Sequence, residues 1–246
     1  MNLKYSINKR SLSLILFITM IGVSAIHQIS FCMITAQRPN NISYVEQVMD
    51  TYLKQNIHIM DGVGIILIDV DGSTLGKGIR LADREKAICD TPDVEGLPSC
   101  QVRQRTLDVT KALSQCMKST SGWVVLVEDD CEICPEALDE ALTALSKLEP
   151  QKTAMAKLSK NMCATAFPDN MITPYIMSTL RRLYTHPHDI IYAEDWSSPP
   201  VFVYKHPRNL FHHIGTVSTE PHKNDPLWQE QYGEMRADTC GDKTIW

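Results

Sequence analysis

The segment from Trp123 to Cys134 reads WVVLVEDDCEIC, and it places a short apolar run directly before three consecutive carboxylates. The apolar part is uncharged and rich in β-branched residues, which predicts a strand buried on both faces, as in a parallel sheet. Glu128, Asp129 and Asp130 follow where this strand would leave the sheet, so their mutual repulsion needs an offsetting partner. Open α/β sheets bind ligands at the carboxyl ends of their strands, and adjacent carboxylates there suit a hard divalent cation. A solvated turn before a helix that begins near Pro135 fits the same residues.

Short apolar runs alternate with helical periods along the rest of the chain, which is the pattern of a three-layer α/β domain. Strands are predicted at residues 29–35, 63–70, 123–127, 153–158 and, as an edge strand beside prolines, 201–204. Helices are predicted at residues 43–55, 101–118, 135–148 and 172–184, with Ser43 as the N-cap of the first. The residues from 80 to 100 and those after 214 are predicted to be irregular.

The composition is that of an ordinary globular protein, with 43% hydrophobic and 22% charged residues among 246. A net charge of −5 and the lack of a long Lys/Arg run give no electrostatic footprint for nucleic acid. Among eight cysteines, Cys131 and Cys134 form a lone CxxC pair, so a zinc ribbon is not expected and a redox motif is only weakly indicated. Cys89 and Cys100 flank a loop that a disulfide could close in an oxidising compartment.

The N-terminus has the layout of a signal sequence. Three basic residues precede the apolar run LSLILFITMIGVSAI at residues 12–26, and VSA at 23–25 resembles a cleavage site. This run is shorter than the roughly 20 residues that span a bilayer, and the positive-inside rule places the following chain in a lumen. We therefore predict residues 1–28 as a cytoplasmic basic flank with a signal peptide or short signal-anchor, and residues 29–246 as a single domain.

A second acidic strand end, IILIDVDGSTL at residues 65–75, resembles the nucleophile motif of haloacid-dehalogenase phosphatases. Asp69 would be the nucleophile and Asp71 the acid/base. Ser73 interrupts that motif, and no strand-terminal lysine stands out between Asp71 and Asp129. An acidic strand end that faces a ligand or solvent is therefore the favoured interpretation.

Several separated segments carry a more extensive pattern. In chain order they are ITAQRP (34–39), YVEQVMDTYL (44–53), RQRTLDVTKAL (103–113), VEDD (127–130) and NLFHHIGTVST (209–219). In this order and spacing they resemble the N-acetylglucosaminyltransferase IV group and the related GPI-glycan N-acetylgalactosaminyltransferases. The resemblance covers about residues 29–218.

The resemblance implies a GT-A-like fold, a three-layer α/β/α sandwich behind the N-terminal signal or anchor segment. It implies a metal-dependent, inverting transfer of a HexNAc sugar, GlcNAc or GalNAc, from a UDP-sugar to an N-glycan or GPI-glycan acceptor, with Mn²⁺ or another divalent cation. The expected location is the Golgi or ER lumen, as a single-pass type II membrane protein held by the N-terminal segment or as a secreted protein. An inactive lumenal glycan-binding or scaffold protein with this fold is the alternative.

The resemblance assigns the metal ligands to the acidic triplet and to a late histidine. Asp130 is expected to contact the metal directly, with Asp129 beside it. His213 is expected to complete the metal shell, with His212 as the substitute candidate. A cation held there would act as a Lewis acid and offset the charge of the departing diphosphate.

Five residues are assigned by the same resemblance to the nucleotide-sugar. Thr35 and Arg38, at the end of the first strand, are expected to contact the nucleotide. Arg105 and Asp108, on the helix before the central strand, are expected near the base. Glu128 is expected on the ribose or sugar side.

An inverting transfer also needs a carboxylate that deprotonates the acceptor hydroxyl. The segment HDIIYAEDW at residues 188–196 places Glu194 and Asp195 at a fitting position in the chain, and Asp195 is preferred. The alternative is that both residues cap a turn.

Overall fold

The computed structural model of the chain describes residues 27–36, 43–70, 79–80, 98–159, 163–186, 202–215 and 240–241. The predicted signal or anchor segment lies outside these residues, as do Arg38, Asp71, Glu194 and Asp195. Within the described ranges, no helix combines the length and the apolar character needed to cross a membrane.

The described chain forms a sheet with helices on both faces. The strands are β1 (His27–Thr35), β2 (Val63–Asp69), β3 (Ile79–Arg80), β4 (Thr120–Glu128), β5 (Cys131–Ile133), β6 (Thr153–Lys157), β7 (Ala164–Pro168), β8 (Phe202–Lys205) and β9 (Phe211–His213). The helices are α1 (Val45–Lys54), α2 (Cys100–Met117), α3 (Ala137–Lys147) and α4 (Asp169–Arg181), with a 3₁₀ turn at Ile57–Ile59.

Among the described residues, seven strands form the main sheet in the order β3-β2-β1-β4-β7-β6-β8, and β5 pairs with β9 in a separate two-stranded sheet. β1 is parallel to both β2 and β4, whereas β7 is antiparallel to β4 and to β6. The predicted parallel setting of β4 therefore holds on one side only, because β7, which was not predicted, lies on the other. β8 is parallel to β6, so β1, β2, β4, β6 and β8 all end at one edge, the carboxyl edge.

Alternation along β4 supplies both faces of the core. Val125 and Val127 pack with α1 and α3 in one apolar cluster, whereas Val124 and Leu126 pack with α2 and α4 in another. Successive side chains of a strand point to opposite faces, so an uninterrupted apolar run requires helices on both sides. The predicted three-layer α/β/α architecture is thereby confirmed.

The helices begin at residues other than those predicted from the sequence. The N-cap of α1 is Tyr44, whose side chain makes no capping hydrogen bond, so the prediction of Ser43 as N-cap is wrong. Ser99 caps α2, and its hydroxyl accepts a hydrogen bond from the backbone N–H of Val102 at 3.3 Å. α4 begins at Asp169, earlier than predicted, because β7 ends at Pro168 and the chain turns directly into the helix.

Disulfides link segments that are distant in the sequence. The bonds join Cys32 to Cys116, Cys131 to Cys163 and Cys134 to Cys240. Cys100 is also disulfide-bonded, and its predicted partner Cys89 lies outside the described residues. The weakly indicated CxxC redox motif is wrong, because Cys131 and Cys134 are bonded to different partners. Within the described part of the chain, no cysteine is a free thiol.

Candidate metal centre

The small β5–β9 sheet brings the late histidines to the acidic triplet. Its antiparallel register places Cys131 opposite His213 and Glu132 opposite His212. Just beyond this pair, the backbone N–H of Ile214 donates to the carbonyl of Asp130 at 2.8 Å. Backbone pairing therefore holds the two distant segments together at the end of β4.

Glu128, Asp130 and His213 form a group in which one potential ligand atom from each residue lies within 4.8 Å of the others. His213 Nε2 lies 3.3 Å from Asp130 Oδ2, and both side chains are largely buried. Ligand bonds of roughly 2.0–2.4 Å separate opposed ligand atoms by up to about 4.8 Å. Two carboxylate oxygens and one imidazole nitrogen therefore fit a divalent cation without a large rearrangement. This donor set does not select manganese over other divalent ions.

Gly215 packs directly against the carboxylate of Asp130. A Cβ atom built at Gly215 would lie 2.0 Å from Asp130 Oδ2 and 2.7 Å from its Cγ. Since real Cβ atoms do not approach other atoms below 3.0 Å, a side chain at this position would displace the carboxylate. The absence of a side chain is thus what lets the chain after β9 close over Asp130.

Arg105 holds one oxygen of Glu128. The Arg105 guanidinium on α2 donates to Glu128 Oε1, in a pair whose side chains are each 34% exposed. This hydrogen bond does not involve the other carboxylate oxygen of Glu128, Oε2. Asp108 lies one helical turn further along α2, is buried, and accepts a hydrogen bond from Gln104 Nε2 at 3.0 Å. Of the two residues expected near the nucleotide base, Arg105 contacts Glu128 of the group.

Asp129 turns away from the grouped residues, toward β1. The hydroxyl of Thr35 donates to Asp129 Oδ2 at 2.6 Å, and both residues are buried. The hydrogen bond ties the end of β1 to the end of β4. Thr35, assigned to the nucleotide, and Asp129, assigned to the metal, thus contact each other, while Glu128, assigned to the sugar side, lies with Asp130 and His213.

The two histidines are separated by the alternation of β9. His213 joins the group, whereas its neighbour His212 is opposite Glu132, which accepts a hydrogen bond from Gln47 at 2.8 Å. Glu128 is the last residue of β4 and Asp130 lies in the turn that follows, so strand alternation could not have predicted that Glu128 joins Asp130. Asp69, the nucleophile of the phosphatase hypothesis, is buried at the end of β2 and is not part of the group.

Comparison with known proteins shows a distant structural similarity. Neither protein-family profiles nor curated proteins match the sequence. Among solved structures, one similar chain is the crystal structure of a glycosyltransferase involved in the glycosylation of the major capsid of PBCV-1. It is 11% identical, the alignment covers 72% of this chain and 81% of that chain, and the TM-score is 0.39. A likeness of this degree establishes neither an activity nor membership of the N-acetylglucosaminyltransferase IV group.

Proposed function

We propose that the protein is a metal-dependent glycosyltransferase in which Glu128, Asp130 and His213 hold a divalent cation that binds a nucleotide diphosphate sugar. The observation that supports this proposal is the grouping of these three side chains at the carboxyl edge of an α/β sheet. Ligands of such sheets bind at this edge. Three protein ligands leave positions open on a divalent ion, and phosphate oxygens are suitable partners for them.

The residues around the group have supporting roles in this proposal. A bound cation would supply Lewis-acid stabilisation of the diphosphate leaving group. Arg105 fixes the orientation of Glu128 through its ion pair. The Thr35–Asp129 hydrogen bond fixes the backbone at the start of the acidic turn. Gly215 leaves space for the carboxylate of Asp130.

The finer assignments in this proposal rest on the sequence resemblance. They are a UDP-HexNAc donor carrying GlcNAc or GalNAc, an N-glycan or GPI-glycan acceptor, Mn²⁺ as the cation, and Asp195 or Glu194 as the base of an inverting transfer. A location in the secretory pathway accords with the disulfides, which persist in oxidising compartments. Membrane attachment through the N-terminal segment belongs to the same proposal.

Calorimetric titration of the protein with UDP, with and without Mn²⁺, tests the proposed function. We expect binding that requires Mn²⁺, and Asp130→Asn should weaken it by at least about tenfold, since even residues that only support a metal ligand contribute 10–100-fold. Asp61→Asn is the matched control, because Asp61 is an exposed carboxylate in the turn before β2, at the opposite edge of the sheet. Failure of the wild-type protein to bind UDP with Mn²⁺ would refute the proposal and favour the inactive glycan-binding alternative.

A further inference from the structure

The Cys131–Cys163 disulfide lies against the backbone of the proposed metal ligands. Cys131 directly follows Asp130 and is opposite His213 in the β5–β9 pairing. At the other end of the bond, the carbonyl of Cys163 accepts a hydrogen bond from the backbone N–H of Glu128 at 3.4 Å. One covalent bond therefore connects backbone segments that adjoin all three members of the group.

The disulfide also joins the small β5–β9 sheet to the main sheet. Cys131 is the first residue of β5, and Cys163 directly precedes Ala164, the residue of β7 that is opposite Val127 of β4. β5 and β9 have three residues each, and an isolated two-stranded sheet is marginally stable at best. The nitrogen–oxygen distance of 3.4 Å between Glu128 and Cys163 is longer than in an ordinary backbone hydrogen bond. Backbone pairing alone thus holds the small sheet weakly against β4, and the disulfide supplies a firmer connection.

The environment of the disulfide suits a permanent role. Cys131 and Cys163 are both buried. They pack in the apolar cluster of α1 and α3, together with Phe211 of β9. Burial shields a disulfide in the folded protein from the thiolates that could reduce it. The bond is therefore suited to fixing a position and not to switching between two states.

A second disulfide allows positioning to be separated from stability. The Cys32–Cys116 bond spans 84 residues of sequence, against 32 for the Cys131–Cys163 bond. In the chain-entropy model the longer loop gives the larger stabilisation. Cys32 is in the middle of β1 and Cys116 is near the end of α2, so this bond is away from the carboxyl edge. A disulfide that only stabilises the fold should affect metal binding no more than this one does.

We propose that Cys131 and Cys163 are positioning residues of the metal centre. Their disulfide holds Glu128, Asp130 and His213 in the arrangement that binds a divalent cation. This inference deepens the proposed function and rests on its metal-binding part. Without the bond, the small sheet can shift relative to β4. Metal–ligand distances tolerate deviations of only about 0.2 Å, so a small shift is enough to weaken the site.

Titration of full-length variants with Mn²⁺ tests this role, with free Mn²⁺ followed by its electron paramagnetic resonance signal. Cys131→Ala/Cys163→Ala should weaken Mn²⁺ binding by about tenfold or more, since the support of a metal ligand contributes 10–100-fold. Cys32→Ala/Cys116→Ala is the matched control, and it should bind Mn²⁺ as the wild-type protein does although it loses at least as much stability. Cys131→Val/Cys163→Ala restores apolar volume without the bond, so its Mn²⁺ binding should stay weak. This variant also keeps the test decisive if the double alanine variant does not fold.

Hydrogen exchange in the absence of metal gives a second readout. The backbone N–H of Ile214 donates to the carbonyl of Asp130 at 2.8 Å and so reports how firmly β9 is held beside the acidic turn. In both variants that lack the Cys131–Cys163 bond, this amide should exchange faster relative to the amide of Val125 in β4. In Cys32→Ala/Cys116→Ala the ratio of the two exchange rates should match that of the wild-type protein.

Three results would overturn the positioning role. They are wild-type Mn²⁺ affinity in Cys131→Ala/Cys163→Ala, an equal loss of affinity in Cys32→Ala/Cys116→Ala, and recovery of affinity in Cys131→Val/Cys163→Ala, which would assign the effect to packing. A parallel titration with UDP separates this inference from the proposed function. If the wild-type protein binds Mn²⁺ but not UDP, the proposed function fails and the Mn²⁺ titrations still decide the positioning role. If UDP binds with Mn²⁺ equally well in the wild-type protein and all variants, the proposed function stands and the positioning role fails.

Discussion

Replacing Gly215 by alanine should impair metal binding through a single methyl group. The new Cβ would lie 2.0 Å from Asp130 Oδ2, whereas ordinary contact begins at 3.4 Å, so the oxygen must move by about 1.4 Å. Metal–ligand distances tolerate deviations of only about 0.2 Å. Asp130 would therefore leave its position beside His213. We expect Mn²⁺-dependent UDP binding to weaken by about 10–100-fold, the range for disturbing the support of a metal ligand.

The assay compares Gly215→Ala with a second glycine variant by calorimetry and thermal unfolding. Gly62→Ala is the control: Gly62 has a φ of +70°, and its added Cβ would meet nothing closer than 3.5 Å. Alanine is strained at that φ, so Gly62→Ala should lose about 1–2 kcal/mol of stability. Its UDP binding in the presence of Mn²⁺ should nevertheless match that of the wild-type protein, since Gly62 lies at the other edge of the sheet.

The two variants thus distinguish a specific effect on Mn²⁺-dependent UDP binding from a general loss of stability. If Gly215→Ala folds and binds UDP with Mn²⁺ as tightly as Gly62→Ala does, Asp130 is not a ligand and the assignment is wrong. If both variants lose binding in proportion to their lost stability, the effect is general destabilisation, which also contradicts the steric reasoning.

Three other variants test interactions that stabilise the fold. Thr35→Val removes the donor to buried Asp129, so urea denaturation should show a free energy of unfolding lower by about 1–3 kcal/mol; no loss would mean that the bond is unimportant. The Cys32–Cys116 disulfide spans 84 residues of sequence, so replacing both cysteines by alanine should lower the free energy of unfolding by about 2–5 kcal/mol in the same assay. An unchanged free energy of unfolding would show that this disulfide does not stabilise the fold. Burial lowers the pKa of His27 below 6.5, so the unfolded state binds more protons and stability falls as pH drops from 6.5 through the folded pKa. His27→Gln should therefore show a smaller drop in Tm between pH 7 and pH 5 than wild type, and an equal drop would refute this role.

The strands predicted from the sequence are those with continuous apolar runs. A strand buried on both faces consists of consecutive apolar residues, and such a run is visible in the sequence alone. β7, with the sequence ATAFP, is rich in small residues and runs straight into α4, so nothing local marks it. β5 and β9 have three residues each. Their existence depends on pairing between distant segments, which a local pattern does not record.

The site was predictable in its segments and less so in its individual side chains. The sequence resemblance implied that the acidic triplet and His213 bind the metal. Which carboxylate faces His213 depends on how the chain turns after β4, and here the turn directs Asp129 to Thr35. Disulfide connectivity likewise depends on three-dimensional proximity, so the CxxC spacing of Cys131 and Cys134 pointed to the wrong chemistry.

Because Cys131 and Cys134 bond to different partners, the order in which their disulfides form matters for folding. During synthesis these two thiols emerge before Cys163 and Cys240, with only two residues between them. A short-range bond between them can form first and must then be exchanged, a reaction that takes about minutes to hours when it is not catalysed. Production hosts that provide a disulfide isomerase should therefore yield more correctly folded protein than hosts that merely oxidise it.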